Sequence, residues 1–222
     1  LSERVRLATL PAQIDGQLVV GLSSDTLSPL GIEPQGTFLI SGPSGSGRSS
    51  ALLTLAQSMR RLDPTAELYH VGNPRSKMAK LPWWTGSFTD PDSADRLATL
   101  AATLALQSSG QSMVAVFVEN IAELASTAAE AALTDLIKLA LAENWLFVAE
   151  GETSTLSGSY GLLALAKSSR AGLALQPDSG DGITIFRTPF PSRLNRADFP
   201  PGRALLVSRG TTSVVQIGLP ED

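Results

Sequence analysis

The sequence predicts an α/β fold in which a mostly parallel central sheet carries helices on both faces and ends in a C-terminal antiparallel extension. Two observations support this fold class. Apolar runs typical of buried strands alternate with helical segments between residues 37 and 149, which indicates parallel strands joined by helical crossovers. After residue 170, apolar runs follow one another across turns, and this indicates antiparallel strands.

The first half of the chain predicts a strand, a tight loop and a helix in direct succession. Residues 37–40 form an apolar run typical of a buried strand, and residues 42–47 are rich in glycine. Residues 49–61 carry apolar side chains at helical spacing, and Asp63-Pro64 ends that helix. Among the turn-rich residues before this unit, residues 18–20 are the clearest strand.

The remaining elements follow from the same patterns. We expect helices at residues 92–107, capped by Asp92, at residues 127–142, opened by a Thr127–Glu130 capping box, and at residues 160–169. Further strands are predicted at residues 67–71, 113–118, 145–149, 171–175, 183–187, 203–208 and 213–217. Residues 72–91 and 151–159 are predicted as loops.

The composition is that of a globular chain, and it excludes several kinds of site. The chain has 222 residues, 43% of them hydrophobic, which suits one α/β domain with a buried core. A formal charge of −4 provides no overall basic field for nucleic acid. The chain has no cysteine, and His70 is its only histidine. Disulfides, thiolate zinc sites and multi-histidine metal centres are therefore excluded.

The chain begins with Leu1 rather than Met, and we expect it to be a fragment of a longer chain. Residues 1–36 are predicted to form the lead-in strands and loop of one module, and residues 37–222 its core and closing hairpin. No apolar run is long enough to span a bilayer, so we expect this segment not to insert into a membrane.

The stretch "GPSGSGRSS" has the spacing of a phosphate-binding loop, G-x-x-x-x-G-K-[ST], with arginine at the lysine position. Glycines let such a loop curl until successive N–H groups point inward, beside the N-terminus of a helix. The residues that we predict to contact phosphates are Gly42, Pro43, Ser44, Gly45, Ser46, Gly47, Arg48, Ser49 and Ser50. The same stretch is also compatible with a purely structural turn.

Arg48 is the weak point of this match. Lysine presents a compact charge to the β- and γ-phosphates, whereas arginine carries a planar fork, and the two are not interchangeable. Binding can survive on backbone N–H groups and the helix dipole, but stabilisation of a transition state is more fragile. Ser49 stands where a hydroxyl would hold Mg²⁺.

The second half of such a site is an acidic pair at the end of a neighbouring strand, one carboxylate for the metal and one to activate water. Here the apolar run at residues 113–118 is followed by Glu119 and Asn120. Glu119 is one methylene longer than aspartate, so any Mg²⁺ that it binds through water would be displaced. Asn120 cannot take a proton from water, and the general base is therefore missing. On their own, these two residues are also compatible with a strand end and a helix cap.

Five stretches occur in order along the chain: "GLSSDTLSPLG", "GPSGSGRSSALLTLA", "LYHVGNPRSKMAKLPWW", "MVAVFVEN" and "PPGRALLVSRGTTSVVQIGLP". Together they resemble the lead-in, phosphate loop, second strand, acidic strand and closing hairpin of FtsK/SpoIIIE-type P-loop motor domains, including the ATPase modules of the type VII secretion protein EccC. The resemblance spans nearly the whole chain. In the turn after the second strand, Asn73-Pro74-Arg75 keeps the family's shape without its acid.

The resemblance implies a RecA-like P-loop NTPase fold, ATP and Mg²⁺ as cofactors, and assembly with sister modules or in a homo-oligomeric ring. The implied cargo is either double-stranded DNA or a small helical secreted protein. The implied location is the cytoplasm, with a tether to the inner face of the membrane through segments absent here. The family also contains degenerate modules with regulatory or docking roles, which Arg48, Glu119 and Asn120 resemble. Glu150 lies near the family's γ-phosphate sensor, where a carboxylate would repel phosphate.

The remaining aromatic, histidine and charged side chains are predicted to have structural roles. Trp83 and Trp84 could stack on adenine or anchor a peptide, but packing under a loop is favoured. His70 lies on a predicted strand, where a hydrogen-bonded structural histidine is favoured. The acids of residues 119–152 and the bases of residues 167–209 are favoured as solvated surface rather than as docking or phosphate-contacting patches.

Three functions remain open at this point. The preferred one is a degenerate translocase module that binds nucleotide weakly or not at all and acts through sister modules or cargo. The second is an active ATPase whose site is completed by a neighbouring subunit. The third is a non-enzymatic domain that captures a helical segment of a secreted protein near Trp83, Trp84 and Phe88.

Overall fold

The computed structural model describes residues 4–90, 93–106 and 112–221. The strands of this part of the chain are β1 Val5–Arg6, β2 Gln13–Ile14, β3 Gln17–Ser23, β4 Pro29–Ile32, β5 Gly36–Gly42, β6 Glu67–Val71, β7 Gly86–Phe88, β8 Val114–Val118, β9 Leu146–Glu152, β10 Gly172–Leu175, β11 Arg203–Ser208 and β12 Thr211–Leu219. The α-helices are α1 Arg48–Leu62, α2 Ser93–Ala105, α3 Ile121–Leu124, α4 Glu130–Glu143 and α5 Gly161–Ala166.

All the strands just named belong to one sheet. Its parallel part has the order β10-β5-β9-β8-β6-β7. On the other side of β10, the strands β11, β12, β3 and β2 follow in antiparallel pairs, while β4 pairs with β3 and β1 with β12. The predicted mostly parallel sheet with an antiparallel extension is therefore confirmed, and β10 joins the two parts.

Helices cover both faces of this sheet, as predicted. Successive side chains of a strand point to opposite faces, and β5 follows this rule. Phe38 and Ile40 are buried in the cluster that includes the apolar side chains of α1. Leu39, between them, is buried in the cluster formed with α2, α4 and α5. Because both faces are covered, β5, β8 and β9 are nearly continuous apolar runs, which is typical of central parallel strands.

The lead-in strands are tied to the core through β12 and α1. Residues 215–217 of β12 pair with residues 21–23 of β3, so residues before the phosphate loop extend the same sheet. The Ser58 hydroxyl donates to the Val19 carbonyl at 2.6 Å, and the Thr54 hydroxyl donates to the Gly218 carbonyl at 2.6 Å. These buried bonds connect one face of α1 to both ends of the chain.

The predicted strand at residues 183–187 is wrong. Gly182–Phe186 form a single wide turn of π-helix, which the Arg187 N–H closes by donating to the Gly182 carbonyl. The Thr188 N–H donates to the same carbonyl at 3.0 Å. A strand would place Ile183 and Ile185 on the same face. Instead Ile183 is 61% exposed, whereas the neighbouring Ile185 and Phe186 are both buried, which is the pattern of a helical turn.

Helix α4 begins at Glu130, three residues after its predicted start. The Thr127 hydroxyl accepts from the Ala129 N–H at 3.3 Å, and the Glu130 carboxylate accepts from the Ser126 N–H at 2.6 Å. Both side chains of the predicted capping box therefore stabilise the turn before the helix. The predicted ends of α2, at Asp92 and Gln107, lie outside the described residues.

The predicted loop at residues 72–91 contains strand β7 and a turn of 3₁₀-helix at Met78–Lys80. The other helices and strands lie close to their predicted positions. Within the described ranges, no helix combines the length and apolar character that crossing a membrane requires.

Candidate functional site

The predicted site residues meet at the edge of the sheet where the parallel strands end. The strands β5, β6, β8 and β9 all present their carboxyl ends there, because their pairings are parallel. Ligand sites of open α/β sheets lie outside these ends. The loop of residues 43–47 joins β5 to α1 at this edge, as the sequence predicted.

Glycine conformation shapes this loop. Gly45 has φ +78°, and Gly47, the N-cap of α1, has φ +104°. Residues other than glycine rarely adopt such values. Ser46 closes the curl, since its N–H and its hydroxyl donate to the Pro43 carbonyl at 3.3 and 2.8 Å. A side chain at Gly42 would place Cβ 2.4 Å from the Ser46 hydroxyl oxygen. The backbone framework of a phosphate loop is therefore intact.

Arg48, the first residue of α1, contacts an acid of its own chain. Its Nη1 atom lies 2.8 Å from Oε2 of Glu150 on the neighbouring strand β9, and the Glu150 side chain is only 3% exposed. The two atoms are close, but their geometry is not that of an aligned hydrogen bond, and neither has another hydrogen-bond partner among the described residues. The cation predicted for phosphate is thus paired internally.

The ionisation of Glu150 reflects this confined position. Burial raises its pKa above the ordinary value for glutamate, and the negative charges of Glu119 and Glu123 act in the same direction. Arg48 and the Asn120 N–H, which donates to Oε1 at 2.9 Å, oppose the rise without cancelling it. The carboxylate is therefore held beside Arg48 at an energetic cost.

Glu119 is turned towards the loop after β6. Its Oε1 atom accepts from the Ser76 hydroxyl at 2.6 Å, while Oε2 contacts His70 Nε2 and the Asn73 N–H, each at 3.3 Å. Burial alone would raise its pKa, but the hydrogen bonds from His70, Ser76 and Asn73 outweigh that effect and hold the pKa below its ordinary value. Both oxygens of the predicted metal ligand are thus engaged within the protein.

The residues fit a phosphate cradle better than they fit a magnesium site. Ser49 lines the same cleft as Glu119, but both carboxylate oxygens of Glu119 already accept hydrogen bonds from its own chain. No group of three or more acidic or histidine side chains in the described ranges could hold a metal ion. Asn120 has left-handed backbone with φ +46° and precedes α3, so it is a strand end and helix start without an acidic function.

A cleft of about 490 Å³ opens between α1 and the loop after β6. Two exposed cations on that loop, Arg75 and Lys77, line the cleft together with Arg48. Neither Arg75 nor Lys77 forms an ion pair within the described residues. The mouth of the cleft is therefore basic even though its inner cation is neutralised.

The tryptophans and the histidine pack against each other, as favoured from the sequence. Trp84 stacks on His70 with ring centroids 5.2 Å apart, and its indole N–H donates to the Met78 carbonyl at 2.7 Å. His70 is fully buried, and its Nδ1 atom contacts the Ser87 hydroxyl at 2.9 Å. Trp83 lies under the Arg60 guanidinium, 5.6 Å from the ring centroid. Neither indole lines the cleft beside the phosphate loop.

Sequence reasoning missed three features of the site: the Arg48–Glu150 pair, the engagement of Glu119 by His70 and Ser76, and the cations of the loop after β6. The first had a signal. Strands β5 and β9 are adjacent, so an unusual arginine after one and an unusual glutamate at the end of the other are a candidate compensating pair. The other two depend on loop conformation, for which the sequence had no comparable signal.

Solved structures of several ATPases share this fold. The region of Thermomonospora curvata EccC that contains ATPases 2 and 3, solved with a signal sequence peptide, matches with a TM-score of 0.78 at 20% identity, over 100% of this chain and 44% of that one. The same region of EssC from Geobacillus thermodenitrificans matches with a TM-score of 0.77 at 18% identity, over 100% of this chain and 45% of the other. The pCW3 conjugation coupling protein TcpA, solved with ATPγS, matches with a TM-score of 0.68 at 15% identity, over 100% and 71%.

The chain has the RecA-like P-loop fold of these ATPase modules, and the predicted resemblance to EccC is confirmed at the level of the fold. It spans less than half the length of the EccC and EssC structures that it matches. No family model and no curated protein sequence matches the chain.

Proposed function

We propose that this chain is a degenerate module of a multi-module P-loop translocase, and that it binds nucleotide weakly or not at all and does not hydrolyse it. In this proposal the module acts through contacts with sister modules or with cargo. The observation that carries the proposal is the state of the acidic position after β8. Glu119 is engaged on both oxygens, and Asn120 has no carboxylate.

Hydrolysis of a nucleotide requires a metal ion that bridges the phosphates and a group that orients or deprotonates the attacking water. To take up either task, Glu119 would have to leave the hydrogen bonds from Ser76, His70 and Asn73. His70 is the fully buried one of these three donor residues, and a buried donor that loses its acceptor costs about 1–3 kcal/mol. That cost favours the retracted position of Glu119 over a catalytic one.

The modular part of the proposal is supported by the EccC and EssC structures, whose matched regions each contain two ATPases and are about twice as long as this chain. A matched region of EccC is also described as its cytoplasmic domain. These matches support our proposal that the module lies on the cytoplasmic side beside sister modules, with any membrane tether in segments outside this sequence.

Turnover of Mg-ATP by the pure chain tests the proposal. We expect a rate no higher than the background, and the same rate for Ser49→Ala and for the matched control Ser208→Ala, which changes an exposed serine at the end of β11, away from the cleft. ATP hydrolysis that rises with protein concentration and disappears only in Ser49→Ala would refute the absence of catalysis. Such a result would favour the alternative of an active ATPase completed by a neighbouring subunit.

Capture of a helical segment of a protein cargo is a second candidate function. A cleft of about 670 Å³ beside the end of α1 is lined by Leu81, Pro82 and Trp83, with Arg60 and Arg61 at its border. The EccC structure contains a signal sequence peptide, and a net charge of −4 favours protein over DNA as cargo. Phe88, also predicted for this role, is buried. Trp84 is partly buried, bonds to the Met78 carbonyl and does not line this cleft.

A fluorescence titration with a labelled amphipathic signal sequence peptide tests this second function. We expect Trp83→Ala to weaken binding at least about tenfold, because truncation of an aromatic anchor typically costs 2 kcal/mol or more. Leu27→Ala removes an exposed apolar side chain elsewhere, 62% exposed in the wild type, and is the matched control. Equal affinities for the two variants would rule out this cleft as the peptide site.

A further inference from the structure

We propose that Glu150 is an internal counter-ion that occupies Arg48, so that the phosphate loop admits an anion only when this pair separates. The inference rests on the proposed function, since it names what keeps nucleotide out of a module that does not hydrolyse it. It concerns binding alone and involves no catalytic step.

The pair lies where an anion would otherwise bind. Arg48 is the first residue of α1, and Glu150 lies on the strand next to the one that leads into the phosphate loop. The N-terminus of a helix attracts negative charge through its free N–H groups and its dipole. Glu150 Oε2, 2.8 Å from Arg48 Nη1, brings a negative charge to this location from within the chain.

The pair is incompletely satisfied, which makes it exchangeable. A guanidinium binds a carboxylate best through two parallel hydrogen bonds, but here Nη1 and Oε2 are close without being aligned. Among the described residues, Glu150 accepts one hydrogen bond, from the Asn120 backbone at 2.9 Å. A phosphate group offers the guanidinium a bidentate partner, so it can compete for Arg48 once it enters the cleft.

Charges from each surrounding element affect this competition. Glu150 faces Arg48 of α1, Glu119 at the end of β8 and Glu123 of α3, while Arg75 and Lys77 line the mouth of the same cleft. An entering phosphate adds negative charge beside a carboxyl group whose pKa burial already raises. Anion entry should therefore be accompanied by proton uptake at Glu150, and anion affinity should rise as the pH falls.

Calorimetric titration of the chain with pyrophosphate and with ATP, both in EDTA, tests the proposal. We expect Glu150→Gln to bind both probes at least about tenfold more tightly than the wild type, a difference of ~1.4 kcal/mol. Glu152→Gln is the matched control, because Glu152 ends the same strand with an exposed side chain. It should bind like the wild type. Equal affinities for wild type and Glu150→Gln would overturn the proposal.

The double variant Arg48→Gln/Glu150→Gln separates the guanidinium from the backbone cradle. We expect it to lose the gain, because the released cation is gone. If the double variant binds as tightly as Glu150→Gln, Arg48 is not the occupied group and the proposal fails. The proposed function fails separately, through wild-type turnover, whatever these affinities are.

Should Glu150→Gln fail to fold, the wild type itself provides the test. Its affinity for pyrophosphate, measured from pH 8 to pH 5 and corrected for the protonation of the probe, should rise as the pH falls. Proton uptake should appear as a dependence of the binding enthalpy on the buffer. An affinity that stays constant over this range contradicts the proposal.

Discussion

Glu119 follows β8 and Glu150 lies near the end of the adjacent strand β9, yet their surroundings shift their pKa values in opposite directions. Glu119 accepts hydrogen bonds from two side chains and one backbone N–H, which together lower its pKa despite burial. Glu150 faces one misaligned guanidinium and one N–H, and burial raises its pKa. The number of aligned donors, more than the depth of burial, decides the direction in each case.

Replacement of Glu119 by glutamine should therefore lower stability in a pH-dependent way. We expect Glu119→Gln to lose about 2–3 kcal/mol at pH 7, because hydrogen bonds to a charged acceptor are replaced by weaker ones. The lowered pKa makes the wild-type contribution complete above the unfolded-state pKa of glutamate, and it disappears as the pH falls through the folded-state value. The difference between wild type and variant should thus shrink below about pH 4.5.

Urea unfolding of both proteins between pH 7 and pH 3 measures this difference. Glu152→Gln is the control, since the exposed Glu152 side chain should change the free energy of unfolding by no more than about 0.5 kcal/mol. A gap between wild type and Glu119→Gln that keeps its size down to pH 3 would show that the ionised carboxylate is not what stabilises the loop after β6.

At the scale of elements, Trp84 anchors the segment between β6 and β7. Trp84 bonds to the Met78 carbonyl, stacks on His70 and lies 5.8 Å from Phe117, measured between ring centroids. We expect Trp84→Leu to lower the free energy of unfolding by about 3 kcal/mol, because a packed aromatic ring and a partly buried hydrogen bond are both lost.

The neighbouring indole is a matched control for this prediction. Trp83 packs against Trp84 and lies under Arg60 at the border of an open cleft. Loss of its contact with Arg60 should cost about 1 kcal/mol or less, so Trp83→Leu should be clearly milder than Trp84→Leu in thermal and urea unfolding. If the two variants are equally destabilised, the segment is held by general burial rather than by the Trp84 anchor.

Elements with a clear hydrophobic periodicity could be predicted from the sequence, whereas elements that depend on tertiary contacts could not. The apolar run before Gly42 and the amphipathic stretch after Ser49 gave β5 and α1 within one or two residues. The prediction of a strand around Ile183 was wrong, because the alternation of apolar residues resembles that of a strand whereas their burial is that of a helical turn. The same holds for the candidate site. Its glycine loop is local in the sequence and could be predicted, whereas its ion pairs join residues that are distant in the sequence and could not.

At the scale of the whole molecule, the parallel part of the sheet holds the site and the antiparallel part completes the core. Leu18, Val20 and Ile217 belong to the same buried cluster as the apolar side chains of α1, the helix that begins at the phosphate loop. The geometry of the loop therefore depends on strands that lie before it in the sequence and on the strand that closes the chain. The lead-in strands and the helix after the phosphate loop therefore share one buried core.

Deletion of residues 1–35 should accordingly abolish cooperative unfolding of the remaining chain. The deletion removes β1 to β4, uncovers the apolar face of α1 packed against Leu18 and Val20, and leaves β12 without its pairing to β3. A newly exposed apolar face of this kind destabilises a domain and promotes aggregation. Circular dichroism and size-exclusion chromatography of residues 36–222 measure the effect. Addition of a peptide of residues 1–35 should restore part of the native signal if the strands re-pair. A truncated chain that stays monomeric and unfolds at the wild-type temperature would instead show that the core folds without its lead-in strands.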